Sequence, residues 1–118
     1  MNRYKLTKAG IDVNEGIRRF NNNKEMYEKF LMTFPQDPLY ARLDKAIKDQ
    51  DVKEAFQAAH ALKGVSGNLS LIELHQQLIP LVEELRNDSL EKAPELFVSV
   101  SESYTKVIAE LNEASKEE

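Results

Sequence analysis

The stretch DVKEAFQAAHALKGVSGNLSLIELHQQLIPLVEELR, residues 51–86, decides the fold. It reads as two amphipathic helices joined by one short break. In the first, Asp51 and Glu54 form a capping-box pair, able to satisfy backbone donors that a helix start leaves unpaired. Val52, Phe56, Ala59, Leu62, Ser66 and Leu69 then fall on one side at about 100° per residue, the side expected to pack inward. Gly67-Asn68 suits the C-terminal end. Ser70 and Glu73 repeat the capping box and open a helix to about Arg86. Leu71, Leu74, Leu78, Leu81 and Leu85 make its stripe, and Pro80 is expected to bend it by removing one backbone hydrogen bond.

The same period continues outward. Asp12 and Glu15 cap a short helix from Val13 to Phe20, which Asn21-Asn22-Asn23 breaks. A helix from Lys24 to Phe34 carries Met26, Tyr27, Phe30, Leu31 and Phe34 on its apolar side. Pro35-Gln-Asp-Pro38 interrupts the chain, with Asp37 as a cap and Pro38 in a first turn. The next helix runs to Lys48 and buries Leu39, Leu43 and Ile47; a single helix kinked at the prolines is the alternative. Asp88 and Glu91 open the last helix, where Phe97, Val100, Tyr104, Val107, Ile108 and Leu111 recur, and the tail after Asn112 is expected to fray. Short loops between long amphipathic helices imply antiparallel neighbours. The expected fold is therefore all-α, an up-down-up-down four-helix bundle with a short N-terminal helix. No segment alternates as a strand would, and only four glycines and four prolines punctuate the chain.

At 118 residues the chain fits one domain, 1–118, with its core at about 11–112. Hydrophobic residues at 42% and charged residues at 31% mark a folded globular protein. No apolar run approaches the roughly 18 residues of a membrane span, and residues 1–10 lack the apolar segment of a signal peptide. The absence of cysteine excludes disulfides and thiolate metal sites, which makes a cytoplasmic address the simple expectation. A net charge of −4 argues against nucleic acid as partner. A monomer is expected, because one bundle can bury every stripe described.

The chemistry concentrates around His60. On the helical wheel it lies about 125° from the centre of the buried side, with Gly64 and Gly67 close to it and Lys63 between that group and the core face. A histidine on an outer face offers a neutral ring nitrogen that can act as a nucleophile at pH 7. A lysine one turn away can attract phosphoryl oxygens. Glycine inside a helix costs about 1 kcal/mol relative to alanine, so Gly64 needs a reason, and close approach of a second protein supplies one. Periodicity alone does not decide this, since an isolated histidine on a helix is more often an ordinary surface or core residue.

His60-Ala61-Leu62-Lys63-Gly64-Val65-Ser66-Gly67-Asn68-Leu69 resembles the signature of histidine-containing phosphotransfer (HPt) domains. The resemblance begins near Ile11-Asp12-Val13-Asn14-Glu15-Gly16-Ile17-Arg18-Arg19-Phe20 and continues to about Arg86. It implies a phosphocarrier in a multistep phosphorelay, without kinase activity of its own. His60 would accept the phosphoryl group, with Lys63 and Gly64 supporting it. Receiver domains, and a hybrid sensor histidine kinase, would be the partners, and magnesium would sit on the receiver. The family often has glycine where this chain has Ser70, read as a cap that makes the turn differently. Val65 is larger than the usual serine or alanine. Some members also carry a glutamine near the histidine; the matching position is Val82, so that hydrogen bond is expected to be missing.

Gly67, Ile72, His75, Ile79, Val82 and Arg86 are assigned to a partner-binding surface, the apolar members turned away from the leucine stripe. For any one of them a wider core contact is about as good an account. Arg86 either reaches an acidic rim or answers the helix C-terminus. Asn68 is assigned to the helix end, and 113–118 to a solvated tail. A metal site on His60 and His75 is set aside for want of a third ligand. The competing function is a helical adaptor that binds receiver or kinase domains without accepting phosphate.

Overall fold

Side-chain caps set most of the helix starts. A computed structural model describes residues 1–116, all of whose regular structure is helical. The elements are α1 (Arg3–Lys8), α2 (Val13–Arg19), α3 (Lys24–Thr33), a 3-10 turn (Phe34–Gln36), α4 (Leu39–Lys48), α5 (Val52–Asn68), α6 (Ile72–Arg86) and α7 (Ala93–Lys116). Asp12, Asn23, Asp37 and Asp51 each accept a backbone N–H at the start of the helix that follows, at 2.8–3.1 Å. Asn21 and Asn22 take positive φ between α2 and α3, a conformation asparagine tolerates better than most residues. The proline segment thus makes two helices divided by a 3-10 turn, not one kinked helix.

Helix α5 packs between α4 and α6, and α7 packs on α6. Tyr40 ties α4 to α7, stacking on Tyr104 and donating its hydroxyl to Ser101 Oγ at 2.8 Å. The buried core extends from Leu6 and Ala9 to Leu111 and Ala114, beyond the expected 11–112 at both ends. Helix α1 escapes the sequence pattern because only Leu6 of its six residues is buried, too little for a period.

Several expectations fail for identifiable reasons. Met26 and Phe30 are 46% and 49% exposed, since Tyr27 and Leu31 already fill the inward side of the short α3. Ser70 does not cap α6. Leu71 occupies that position, while Ser70 sits at φ +56° and donates its hydroxyl to Glu15 Oε1 at 3.1 Å. Glu73 likewise turns to Ser103 and Lys106 of α7. Glu15, engaged by Ser70 and Arg19, does not return the bond its capping box requires, and the Asp12 N–H goes to the Ser70 carbonyl instead. α7 starts later than Asp88, because Glu84 of α6 accepts the Ser89 hydroxyl and the Lys92 N–H and holds residues 89–92 outside it. It then stays helical to Lys116, past the expected fraying point, with Ala114 buried; residues 117–118 of the expected tail lie outside the described residues.

The segment that joins α1 to α2 is stitched to the turn between α5 and α6. Ile11 and Leu71 form an antiparallel bridge, Asp12 N–H donates to Ser70 O at 2.9 Å, and Glu73 N–H donates to Gly10 O at 3.2 Å. From below, the Tyr27 hydroxyl donates to Leu69 O at 2.8 Å. Burial above all, then the Asp12 and Glu15 carboxylates, raise the Tyr27 hydroxyl well above the ordinary tyrosine value, so it remains a neutral donor. The turn just beyond His60's helix is therefore held from two sides.

Candidate functional site

α5 is a continuous helix, so His60, Lys63, Gly64 and Gly67 stack along one side of it. His60 is exposed although its neighbours Ala58, Ala59 and Leu62 are fully buried. Its ring lies against Phe56, one turn earlier, with centroids 5.6 Å apart and planes 25° apart. The Arg86 guanidinium covers Phe56 at 5.2 Å from the ring centroid. Among the described residues no group hydrogen-bonds the His60 ring, so stacking on Phe56 is the contact that sets its orientation.

An open cleft of about 330 Å³ adjoins the ring, lined by Glu15, Arg19, His60, Lys63, Gly64, Gly67, Asn68, Ile72 and His75. It has a cationic rim in Lys63 and Arg19, and a floor free of side chains at Gly64. A Cβ built at Gly64 would meet nothing within 4 Å. Gly64→Ala is thus expected to stabilise the protein by about 1 kcal/mol through helix propensity alone. Urea unfolding measures this, and a destabilised variant would mean that some group does lie against Gly64.

Gly67 lines the cleft and also lies against α6. A Cβ there would stand 3.1 Å from His75 Cε1, so this glycine admits His75. His75 is half-buried, and its Nδ1 lies 3.0 Å from the Lys63 carbonyl oxygen. A carbonyl only accepts, so Nδ1 carries the proton and the imidazole locks α6 against the turn that bears Lys63. Ser66 Oγ donates to the same carbonyl at 2.9 Å.

Of the other surface assignments, Ile72 is half-buried in the cleft wall and Ile79 is 42% exposed. Val82 is fully buried, which overturns its placement on a partner surface. α6 is packed on one side by α5 and on another by α7, so its buried arc takes in Val82 beside Leu78, Leu81 and Leu85. Arg86 lies over Phe56 and 3.3 Å from Glu83, with about half of its side chain exposed. Asn68 ends α5 and also lines the cleft.

Two features escaped the sequence reading. Phe56 packs against the core as its period predicts, but its stacking on His60, a helical pair one turn apart, was not read from the sequence. Arg19 and Glu15 reach the cleft only through the stitching of residues 10–12 to the α5–α6 turn, which no local pattern signals.

A family model described as the Hpt domain matches residues 25–116. The chain belongs to the Hpt domain family. Proteins of this family act in phosphotransfer within two-component phosphorelays, as phosphocarriers working with receiver domains and kinases. No curated protein and no solved structure matches the chain. The Hpt match takes in His60, Lys63, Gly64 and the whole of α4 to α7, while α1 and α2 precede it. No described helix is long and apolar enough to cross a membrane.

Proposed function

We propose that this Hpt protein accepts a phosphoryl group on His60 from a receiver-domain aspartate and passes it to an aspartate of another receiver. The observation that carries this reading is an exposed His60, stacked on Phe56, beside Lys63 and above the open face of Gly64. An unprotonated ring nitrogen attacks the phosphorus of the aspartyl phosphate. The N–P bond forms as the acyl O–P bond breaks, and the aspartate leaves as a carboxylate with the electron pair. The proton on the other ring nitrogen stays there, so the product is a phosphorylated imidazolium, and the return step runs these changes in reverse. Positioning and charge stabilisation drive such transfers. Phe56 fixes the ring plane, Lys63 answers the phosphoryl charge, and Gly64 leaves room for the receiver's site.

In this reading the magnesium and the remaining catalytic groups come from the receiver, and the chain itself has no kinase activity. A hybrid sensor histidine kinase is a further partner, and the protein acts as a cytoplasmic monomer. The fitting architecture is an antiparallel up-down-up-down bundle, with α3 and α4 supplying one edge and α5, α6 and α7 the rest. The packing of α5 between α4 and α6, and of α7 on α6, supports it.

The test mixes the protein with a phosphorylated receiver and Mg²⁺ and follows acid-labile, alkali-stable phosphate by intact mass. One phosphoryl group per chain is expected. Binding without any label, across several receivers, would favour an adaptor instead. Gly64→Leu is expected to keep the fold yet slow transfer by about a hundredfold or more, since a bulky side chain would hold the reacting atoms apart. Transfer at the wild-type rate would remove the close-approach argument.

A further inference from the structure

Arg19 lines the His60 cleft from α2, a helix that lies before the family-matched residues. Its side chain is 52% exposed, and its Nε lies 3.1 Å from Glu15 Oε1. Among the described residues its two terminal guanidinium nitrogens have no hydrogen-bond partner. Glu15 is held from the far side as well, because Oε1 also accepts the Ser70 hydroxyl at 3.1 Å. Ser70 in turn is fixed by its left-handed backbone and by the Asp12 N–H on its carbonyl oxygen. A continuous series, from the turn after the His60 helix through Ser70 and Glu15, thus ends at Arg19.

An exposed ion pair of this kind contributes little stability, so its value lies in what it orients. With Nε taken by a carboxylate, the guanidinium still presents its terminal edge, whose paired N–H groups match the oxygens of a phosphoryl group. Lys63 alone supplies one positive charge, whereas the phosphoryl group's three oxygens share up to about two negative ones. Glu15 without Arg19 would add a bare carboxylate to the cleft and oppose the phosphoryl group. We infer that Arg19 is the second cation of the His60 site, a guanidinium delivered by α2 to bind the phosphoryl oxygens, with Glu15 as the residue that positions it. This rests on the phosphocarrier reading and adds to it a binding group from outside the family-matched region.

Two measurements test it on the full chain. First, His60 is phosphorylated with phosphoramidate, so that no receiver is needed, and the guanidinium N–H resonances of Arg19 are followed by NMR. They are expected to shift on phosphorylation and to stay put in His60→Gln. A merely structural Arg19 would not respond. Second, single-turnover transfer from a phosphorylated receiver is timed at saturating receiver. Arg19→Ala is expected to slow it by about tenfold, the effect of one charge-assisted hydrogen bond. Arg19→Lys, which keeps the charge without the fork, falls between the two. Arg18→Ala, an exposed neighbour off the cleft, transfers at the wild-type rate. Unmoved Arg19 resonances, transfer by Arg19→Ala within about twofold of wild type, or equal slowing in Arg18→Ala would each overturn the inference while leaving the phosphocarrier reading intact. A wild-type chain that takes phosphate from neither phosphoramidate nor receiver would overturn both.

Discussion

His60→Gln is expected to abolish phosphoryl uptake from a phosphorylated receiver while leaving the fold unchanged. Glutamine has no ring nitrogen to form the N–P bond. Transfer should fall by at least about a thousandfold, to the background of receiver dephosphorylation. His60 is exposed and its ring nitrogens have no protein partner among the described residues, so unfolding stability should move by only about 0.5 kcal/mol, the loss of stacking on Phe56. The pairing of lost label with kept stability is the discriminating result. His75→Gln should behave in the opposite way. It retains the label, because the acceptor ring of His60 is unchanged, and it loses about 1 kcal/mol with the hydrogen bond from His75 Nδ1 to the Lys63 carbonyl. Label that survived in His60→Gln and vanished in His75→Gln would move the acceptor to α6.

The contrast between the two histidines shows what a one-dimensional pattern can carry. The exposed position of His60 was legible because what sets it lies on one helix: Lys63 and Gly64 follow at helical spacing, and the buried residues of α5 fix which side faces out. The leucines of α6 were legible for the same reason. Val82 was misread because a stripe drawn from leucines alone assumes one packing neighbour, whereas α6 has α5 and α7 against it. The contact of Gly67 with His75 was not legible because it joins two helices.

The same limit explains the capping boxes. Asp12 and Asp51 cap as local sequence suggests, since a side chain and a backbone N–H three residues on need nothing else. Ser70 with Glu73 has the right spacing, but each has a stronger engagement elsewhere, Ser70 with Glu15 and Glu73 with α7. The placement of α2 against the α5–α6 turn depends on backbone bonds between distant segments. It was therefore invisible in the sequence, and Arg19 went unnoticed with it.

That placement makes Gly16 the position where a single methyl group should do most damage. Gly16 faces the buried ring of Tyr27, and a Cβ built on it would stand 2.2 Å from Cε1, 2.3 Å from Cζ and 2.7 Å from the hydroxyl oxygen. The ring cannot retreat, because Tyr27 is fully buried and its hydroxyl is committed to the Leu69 carbonyl. α2 must move instead. Gly16→Ala is expected to destabilise the protein by about 2 kcal/mol, the overpacking penalty outweighing a helix-propensity gain of about 1 kcal/mol. Gly16→Val, with more bulk and less propensity gain, should cost about 3 kcal/mol or more. The opposite sign expected for Gly64→Ala makes the pair diagnostic, as both glycines are helical and differ only in what stands above them. Moving α2 also carries Glu15 and Arg19 away from the cleft while His60, Lys63 and Gly64 stay on α5. Gly16→Ala should therefore still accept phosphate, at a rate close to that of Arg19→Ala. Urea unfolding and single-turnover transfer on the same preparation check both halves. A Gly16→Ala chain that unfolds at the wild-type midpoint would mean that α2 does not press on Tyr27. One that is destabilised yet transfers at full rate would separate α2 from the chemistry of His60.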